Sequence, residues 1–250
     1  MLFDAHSHLQ FPEFDKDRDE VISRIKKEGM ICINVGTNQE SSRGAAELTE
    51  KYEGFFAGVG LHPLDINREE FNEGFYEKLI NLPKVLAIGE CGLDVKAPSP
   101  KEKQKEIFQK HIALSKKFKK PLIIHSRHSY SEVLAILKQE KNLSPGVIHY
   151  FSGDKKTAKE FLELNFYLSF TGVITYDSKF DEVIKYIPLE NILFETDSPF
   201  VTPVPYRGKR NEPIYVKEIV KKLAEVKNIS FEQMSEITFE NAIKLFKIKK

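Results

Sequence analysis

The chain has 250 residues, of which 41% are hydrophobic, and its 38 Lys and Arg residues nearly balance 37 Asp and Glu residues. A chain of this length buries about three quarters of its unfolded surface, so one α/β barrel can form a single domain over residues 1–250. The net charge of +1 excludes a protein that binds nucleic acid through a global positive field, so any such contact must be local.

The two cysteines favour a reducing compartment, and the first residues do not resemble a targeting segment. Cys32 lies within an apolar run and Cys91 directly follows Glu90, which predicts burial or site lining rather than a disulfide framework. The chain does not begin with a basic region followed by an apolar region, and its apolar runs are shorter than the ~18 residues of a membrane span. We therefore expect a soluble, cytoplasmic protein that contacts no membrane and shows no sign of an obligate protein partner.

Short apolar runs alternate with amphipathic helical segments along the chain. Residues 2–8 predict the first strand, and Val21, Ile22 and Ile25, at helical spacing before Gly29, predict a helix over 17–28. The later strands are predicted at 30–35, 55–60, 85–89, 121–125, 146–150, 166–171 and 191–196. The later helices of this alternation are predicted at 39–52, 71–82, 101–118, 130–140, 155–164 and 179–187.

This alternation predicts a parallel sheet covered by helices, and eight strand–helix units predict closure into a (β/α)8 TIM barrel. After the barrel, residues 213–246 predict two or three extra C-terminal helices, with Ser230 as an N-cap candidate. Between them lies the proline-rich loop 198–213, whose length is typical of a functional loop.

Residues of metal-ligand type lie at the ends of several predicted strands. His6 and His8 are two residues apart in the first strand, so both side chains point to one face. The others lie where an apolar run gives way to Gly, Ser or Pro: Glu90, His125, His149 and Asp197. The strand C-termini of such a barrel open onto the active-site face. Four imidazoles and two carboxylates exceed the needs of one tetrahedral ion and suit two ions that share a carboxylate.

Other polar residues are interpreted differently. His111 lies on an apolar helical stripe, which predicts a core-facing position rather than a ligand. His128 lies near the start of a helix, where a position on the rim is expected. Asp4 is predicted to share the strand face of His6 and His8, so it is a candidate for a hydrogen bond to a ligand histidine.

Together these motifs resemble those of the TatD family of metal-dependent deoxyribonucleases, a branch of the metallo-dependent hydrolases. The resemblance runs nearly end to end and rests on residues 4–8 (DAHSH), 60–63 (GLHP), 89–94 (GECGLD), 125–127 (HSR), 149–153 (HYFSG), 195–200 (ETDSPF) and 207–213 (RGKRNEP). Val95, Tyr150 and His128 depart from the family pattern. These departures affect the rim and the substrate preference, not the ligand set.

The resemblance implies two divalent ions per chain, with His6, His8 and Asp197 on one ion, His125 and His149 on the other, and Glu90 between them. His62 and Arg127 would face the scissile phosphate. Asp197 is expected to act as general base on a water activated by both ions, and Glu90 to hold the metal spacing. Imidazole-rich sites favour Zn, Mn, Fe or Ni, whereas family members are commonly assayed with Mg or Mn.

The expected substrate is DNA, as single strands or 3′ ends, cleaved as by a 3′–5′ exonuclease. Arg207, with Lys209 and Arg210 in the loop after the eighth strand, is the candidate contact, and a solvated basic turn is the alternative reading. Two other functions stay open. One is a two-metal hydrolase of an ester, lactone or aminoacyl-RNA carbonyl centre. The other is a metal-holding or interaction protein without turnover.

Overall fold

Eight β-strands alternate with helices along residues 1–249, the part of the chain that this computed structural model describes. The strands are β1 Phe3–Ser7, β2 Ile31–Val35, β3 Phe55–Val59, β4 Val85–Asp94, β5 Leu122–Arg127, β6 Val147–Ile148, β7 Tyr167–Phe170 and β8 Ile192–Phe194. The α-helices are α1 Arg18–Lys27, α2 Gln39–Lys51, α3 Glu73–Ile80, α4 Lys101–Phe118, α5 Tyr130–Gln139, α6 Lys155–Glu163, α7 Asp181–Tyr186, α8 Val216–Lys227 and α9 Phe231–Phe246.

The strands form one parallel sheet whose order follows the sequence from β1 to β8. The sheet closes at the carboxyl ends of its outer strands. There, the amide of Asp197 donates to the carbonyl of His6 at 2.9 Å, and the amide of His8 donates to the carbonyl of Ser198 at 2.8 Å. The structure confirms the predicted TIM barrel, and the closing hydrogen bonds bring Asp197 beside the two histidines of β1.

Two hydrophobic clusters fill the barrel and its surroundings. The larger cluster packs helices against the outside of the sheet. The smaller joins strand residues such as Phe3 and Ile123 to Leu245 and Phe246 of α9, and the rings of Phe3 and Phe246 stack at 5.9 Å. Helix α9 therefore covers the amino-terminal end of the barrel, and the carboxyl-terminal end is left for a site.

The terminal helices agree with the sequence. Helices α8 and α9 confirm the prediction for residues 213–246, and the side chain of Ser230 caps α9 by accepting from the amide of Gln233 at 3.1 Å. Cys32 and Cys91 are buried free thiols, as predicted. Among residues 1–249, the helices are too short or too polar to cross a membrane.

Three strand predictions were wrong in length by three or more residues: β4 is longer than predicted, and β6 and β8 are shorter. Strand β4 continues to Asp94, five residues beyond the predicted end at residue 89. Within this extension Gly92 has a φ of +137°, and a Cβ added there would lie only 2.0 Å from the His125 carbonyl oxygen. The close approach needs glycine, and it extends the pairing with β5. Strand β6 has only two residues: the His149 amide still donates to the Ile124 carbonyl of β5 at 3.0 Å, but the backbone turns to a φ of +47° at Tyr150, which ends the extended segment.

Candidate metal centre

The six predicted ligands meet at the carboxyl-terminal end of the barrel. They lie in or shortly after five strands: His6 and His8 at β1, Glu90 in β4, His125 in β5, His149 after β6 and Asp197 after β8. The ladder is irregular between Asp4 and Ser7 and between Ile88 and Cys91, the segments that carry His6 and Glu90. Five of the six predicted ligands, all except His6, line a cleft of about 1640 Å³. Irregular pairing re-aims side chains at such strand ends.

Glu90 lies at the middle of this group. Its Oε2 is 3.4 Å from His6 Nε2 and 4.0 Å from His8 Nε2. Its Oε1 is 3.0 Å from His125 Nδ1 and 3.3 Å from His149 Nε2. The two carboxylate oxygens therefore face two different pairs of imidazole nitrogens.

Asp197 lies beside His6 and His8, the two histidines at β1. Its Oδ1 is 3.3 Å from His8 Nε2 and 3.8 Å from His6 Nε2. Its backbone has a φ of +53°, and the barrel-closing hydrogen bond from its amide holds it there. His6 Nε2 and His8 Nε2 face each other at 3.1 Å.

Contacts behind the ligands fix which ring nitrogen is available. His8 Nδ1 donates to the carbonyl of Val35 at 2.6 Å, so Nε2 is the free acceptor. His125 Nε2 lies 3.1 Å from Asp94 Oδ2, which leaves Nδ1 to face Glu90. These are the outer contacts that orient a metal-binding histidine.

His149 is held by Glu195 on the side away from the centre. Its Nδ1 lies 2.7 Å from Glu195 Oε1, in ion-pair contact but off the line of a hydrogen bond. The same oxygen accepts the amide of Tyr150 at 2.7 Å. The rings of His149 and His6 stack with centroids 4.0 Å apart.

His62 approaches Glu90 as a hydrogen-bond donor. Its Nδ1 accepts the amide of Leu64 at 3.1 Å, so in the neutral ring the proton is on Nε2. That Nε2 lies 3.3 Å from Glu90 Oε1. Burial lowers the pKa of His62, which favours this neutral form. A protonated Nε2 has no lone pair for a metal, so His62 is suited to donate rather than to ligate.

Buried charges shift the pKa values of the group. Burial opposes ionisation of Glu90, but the imidazoles of His62 and His149 outweigh it and hold the pKa of Glu90 well below its ordinary value. Burial likewise opposes a charge on His149, and the carboxylates of Glu195 and Glu90 outweigh it and raise the pKa of His149 to about 10. The site therefore stabilises its carboxylates as anions and attracts positive charge.

Asp4 does not contact a histidine ring, contrary to the prediction. Its Oδ1 accepts the backbone amides of Thr196 at 2.9 Å and of His6 at 3.3 Å, and its Oδ2 accepts the Thr196 hydroxyl at 2.5 Å. Burial raises the pKa of Asp4 to about 8. Asp4 therefore links β1 to the segment before Asp197. The irregular ladder at β1 breaks the alternation on which the prediction rested.

The remaining predicted residues lie at different distances from the centre. Arg127 and His128 are exposed and line the cleft, and His111 is buried, as expected. Arg207 is exposed and stacks on the Tyr176 ring, with its guanidinium 4.0 Å from the ring centroid. Arg210, in contrast, bonds both Asp17 oxygens at 2.6 and 2.7 Å and Glu212 at 3.1 Å. Arg210 therefore forms ion pairs within the protein.

Sequence reasoning left Asp94 and Glu195 without a role. Both follow a signal that the sequence does contain, because Glu90 and Asp94 are four residues apart in one strand, and Glu195 and Asp197 are two apart. Strand alternation predicts one face for each pair; it applies to Glu90 and Asp94 within β4, whereas Glu195 and Asp197 lie after the end of β8. His111 also makes a contact that the sequence did not predict. Its Nε2 accepts the amide of Leu61, the residue directly before His62, at 3.0 Å.

The donor set fits divalent metal ions. Two Nε2 atoms that face each other at 3.1 Å, with carboxylate oxygens on both sides, are a stable arrangement when a cation lies between them. Three sets of residues of the described chain bring potential ligand atoms within 4.8 Å of one another: His6, His8 and Glu90; His6, His149 and Glu195; and His62, Glu90 and His125.

A TIM barrel with such a cluster at its strand ends defines the class of metal-dependent barrel hydrolases. Comparison with known proteins agrees with this class. The sequence profile of the family described as "TatD related DNase" matches residues 3–247. The chain belongs to this family.

Similar proteins are described as uncharacterized metal-dependent hydrolases or as a TatD homologue. The metal-dependent hydrolase YabD of Bacillus subtilis is 44% identical over 254 residues, covering 99% of this chain and all of YabD. The metal-dependent hydrolase YcfH of Escherichia coli K12 is 33% identical, covering 99% of this chain and 96% of YcfH. The crystal structure of YJJV, a TatD homologue from E. coli K12, superimposes with a TM-score of 0.92 at 28% identity, covering 99% of this chain and 98% of YJJV.

Proposed function

We propose that this protein is a two-metal deoxyribonuclease that hydrolyses phosphodiester bonds of DNA, as a 3′–5′ exonuclease on single strands or 3′ ends. The observation that carries the proposal is the position of Glu90, whose two oxygens face separate pairs of imidazole nitrogens. A carboxylate placed in this way suits the bridge between two ions. Membership of the TatD related DNase family supports DNA as the substrate.

The two ions would be held by different residues. His6, His8 and Asp197 would hold one, His125 and His149 would hold the other, and Glu90 would contact both. The charge of the centre supports this number. Four buried carboxylates, those of Glu90, Asp94, Glu195 and Asp197, bring up to four negative charges, which two divalent cations would balance.

When bound, paired divalent ions lower the pKa of a water and stabilise charge on the attacking and leaving oxygens. The chain's own groups would do the rest. Asp197, 8% exposed at the edge of the cleft, would take the proton of that water as general base. The charged Arg127 guanidinium and the neutral His62 Nε2–H would donate to the non-bridging phosphate oxygens.

Cationic side chains of the cleft support a polyanionic substrate. Arg43, Arg68, Arg127 and Lys179 all line it, although the chain as a whole carries a net charge of only +1. Arg207 would extend this contact on the loop after β8. Eight acidic side chains line the same cleft, so these cations would meet phosphates at single positions rather than as a continuous basic surface.

Degradation of end-labelled single-stranded DNA tests the proposal. The wild-type protein, supplied with Mn²⁺ or Mg²⁺, is expected to shorten a 3′-OH oligonucleotide stepwise, and Glu90→Gln is expected to be inactive because it loses the bridging charge. Glu102→Gln on the exposed face of α4 is the matched control and keeps activity. Hydrolysis of a panel of esters and lactones, with DNA left intact, would overturn the proposal and favour a carbonyl substrate.

A further inference from the structure

Phe200 is a large apolar side chain that stays exposed beside the candidate metal centre. Its exposed fraction is 47%, and it lies in the same cleft wall as Asp197. Its backbone, however, is fixed at both ends. The amide donates to the Asp197 carbonyl at 2.8 Å, and the carbonyl accepts Nδ2 of the buried Asn211 at 2.6 Å. The loop therefore presents this ring at a defined place without burying it.

A second aromatic ring connects Phe200 to the ligands. Phe11 stacks on His8 with ring centroids 4.4 Å apart and an interplanar angle of 11°. Phe200 lies 6.3 Å from His8 and 6.4 Å from Phe11, tilted by 63° and 68°. The tilted packing and the exposure leave part of the Phe200 ring free for a ligand. A group that contacts this ring is at the same time next to a candidate metal ligand.

The surroundings restrict what that ligand is. The cleft also contains the exposed Arg43, Arg68 and Arg127, which suit phosphates. An aromatic face instead suits a planar, weakly polar group, and in a polynucleotide that group is the base. A nucleotide whose phosphate lies at the metal centre would bring its base to this wall of the cleft.

We propose that Phe200, supported by Phe11, is a base-stacking subsite that positions the scissile phosphate by holding the unpaired base of a nucleotide at the metal centre. This inference rests on the proposed nuclease function and adds a specificity-determining residue to it. Since every base has a stacking face, the subsite tolerates all four bases and requires that a base be present and unpaired.

A substrate without that base tests the proposal. Oligonucleotides that carry an abasic residue at the 3′ end, or at the next position, are compared with the intact oligonucleotide. Cleavage is followed in Mn²⁺, and binding is followed by fluorescence anisotropy in EDTA, where turnover does not intervene. Phe200→Leu removes the aromatic face and keeps an apolar side chain against Phe11, whereas Phe200→Tyr keeps the face.

The proposal predicts that Phe200→Leu lowers kcat/KM on intact DNA by about tenfold, within the range that base–aromatic stacking supplies. The wild type loses a similar factor on one of the abasic substrates, and on that substrate Phe200→Leu has no further effect. Phe200→Tyr behaves like the wild type.

Equal losses for Phe200→Leu on intact and abasic DNA would overturn the proposal, because the ring would then act by shielding the metal centre. Wild-type protein that binds intact DNA more tightly than abasic DNA but cleaves neither would overturn the nuclease function and leave the subsite supported. Wild-type protein that neither binds nor cleaves DNA would overturn both.

Discussion

Glu195 lies beside two histidines, His6 and His149, that we assign to different metal ions. Glu195, His6 and His149 each bring one potential ligand atom within 4.8 Å of the other two. His6 Nδ1 and Glu195 Oε2 are both buried and without a hydrogen-bond partner in the described residues. Mutation of a carboxylate that orients a ligand histidine commonly weakens metal affinity by ~10–100-fold. Glu195 is therefore placed to support both halves of the centre.

We predict that Glu195→Gln weakens metal binding by about 10–100-fold, because the substitution removes the carboxylate charge that lies 2.7 Å from His149 Nδ1. Isothermal titration of chelator-treated protein with Mn²⁺ or Zn²⁺ measures this effect. Glu190→Gln, an exposed residue just before β8, serves as the matched control. Unchanged affinity in Glu195→Gln would show that these rings are oriented without it.

His62 offers a prediction that separates a donor from a ligand. Because its Nδ1 accepts the Leu64 amide, its Nε2 carries a proton and faces Glu90. We expect His62→Ala to lower kcat by ~10²–10³-fold, as loss of one transition-state donor does, with the metal content unchanged. Metal analysis beside His125→Ala, which is expected to lose metal, provides the comparison. Loss of metal from His62→Ala would make His62 a ligand.

The loop after β8 places two arginines in opposite roles. Arg207 is exposed and stacks on Tyr176, whereas Arg210 bonds Asp17 and Glu212 and covers the Phe14 ring at 4.4 Å. Both belong to one basic stretch of the sequence, so residue type alone does not separate them. Arg207 thus presents its guanidinium at the surface on an aromatic ring, whereas Arg210 connects the loop after β8 to Asp17 before α1.

We predict that Arg207→Gln weakens DNA binding and reduces the slope of log K against log salt by about one, because one phosphate contact is lost. Arg210→Gln is expected to leave that slope unchanged and to lower the free energy of unfolding, because Asp17 loses its paired guanidinium and Glu212 keeps only Arg24 among the described residues. Binding titrations over a range of salt and urea denaturation measure the two effects. A slope that falls with Arg210 and not with Arg207 would reverse the assignment.

The sequence was sufficient for most elements. Helix α4 has the predicted bounds because its apolar stripe is long and regular, and Ser230 caps α9 as its residue type indicates. The exceptions lie beside the site. The extension of β4 depends on the close approach of Gly92 to β5, and the short β6 on the turn at Tyr150. Such tertiary contacts produce no periodic pattern of apolar residues from which they could be predicted.

At the scale of the whole molecule, the barrel explains why distant residues meet. His6 and Asp197 are 191 residues apart, and the two hydrogen bonds that close β1 onto the end of β8 bring them together. The count of strands predicted this closure. The contents of the cleft wall were less accessible, because Phe11, Leu64 and Phe200 come from loops whose shape depends on the finished barrel.

Helix α9 covers one end of the barrel, so the cleft at the other end is where a substrate meets the candidate centre. That one-sided arrangement places the cationic and aromatic groups of the cleft around the same few ligands. The proposed chemistry therefore depends on how many metal ions these ligands bind.

Anomalous diffraction from crystals grown with Mn²⁺ tests that point most directly. We predict two peaks, one within coordinating distance of His6, His8 and Asp197 and one within coordinating distance of His125 and His149, with Glu90 contacting both. A single peak that leaves Glu90 on one ion only, or peaks away from these residues, would contradict the two-metal account.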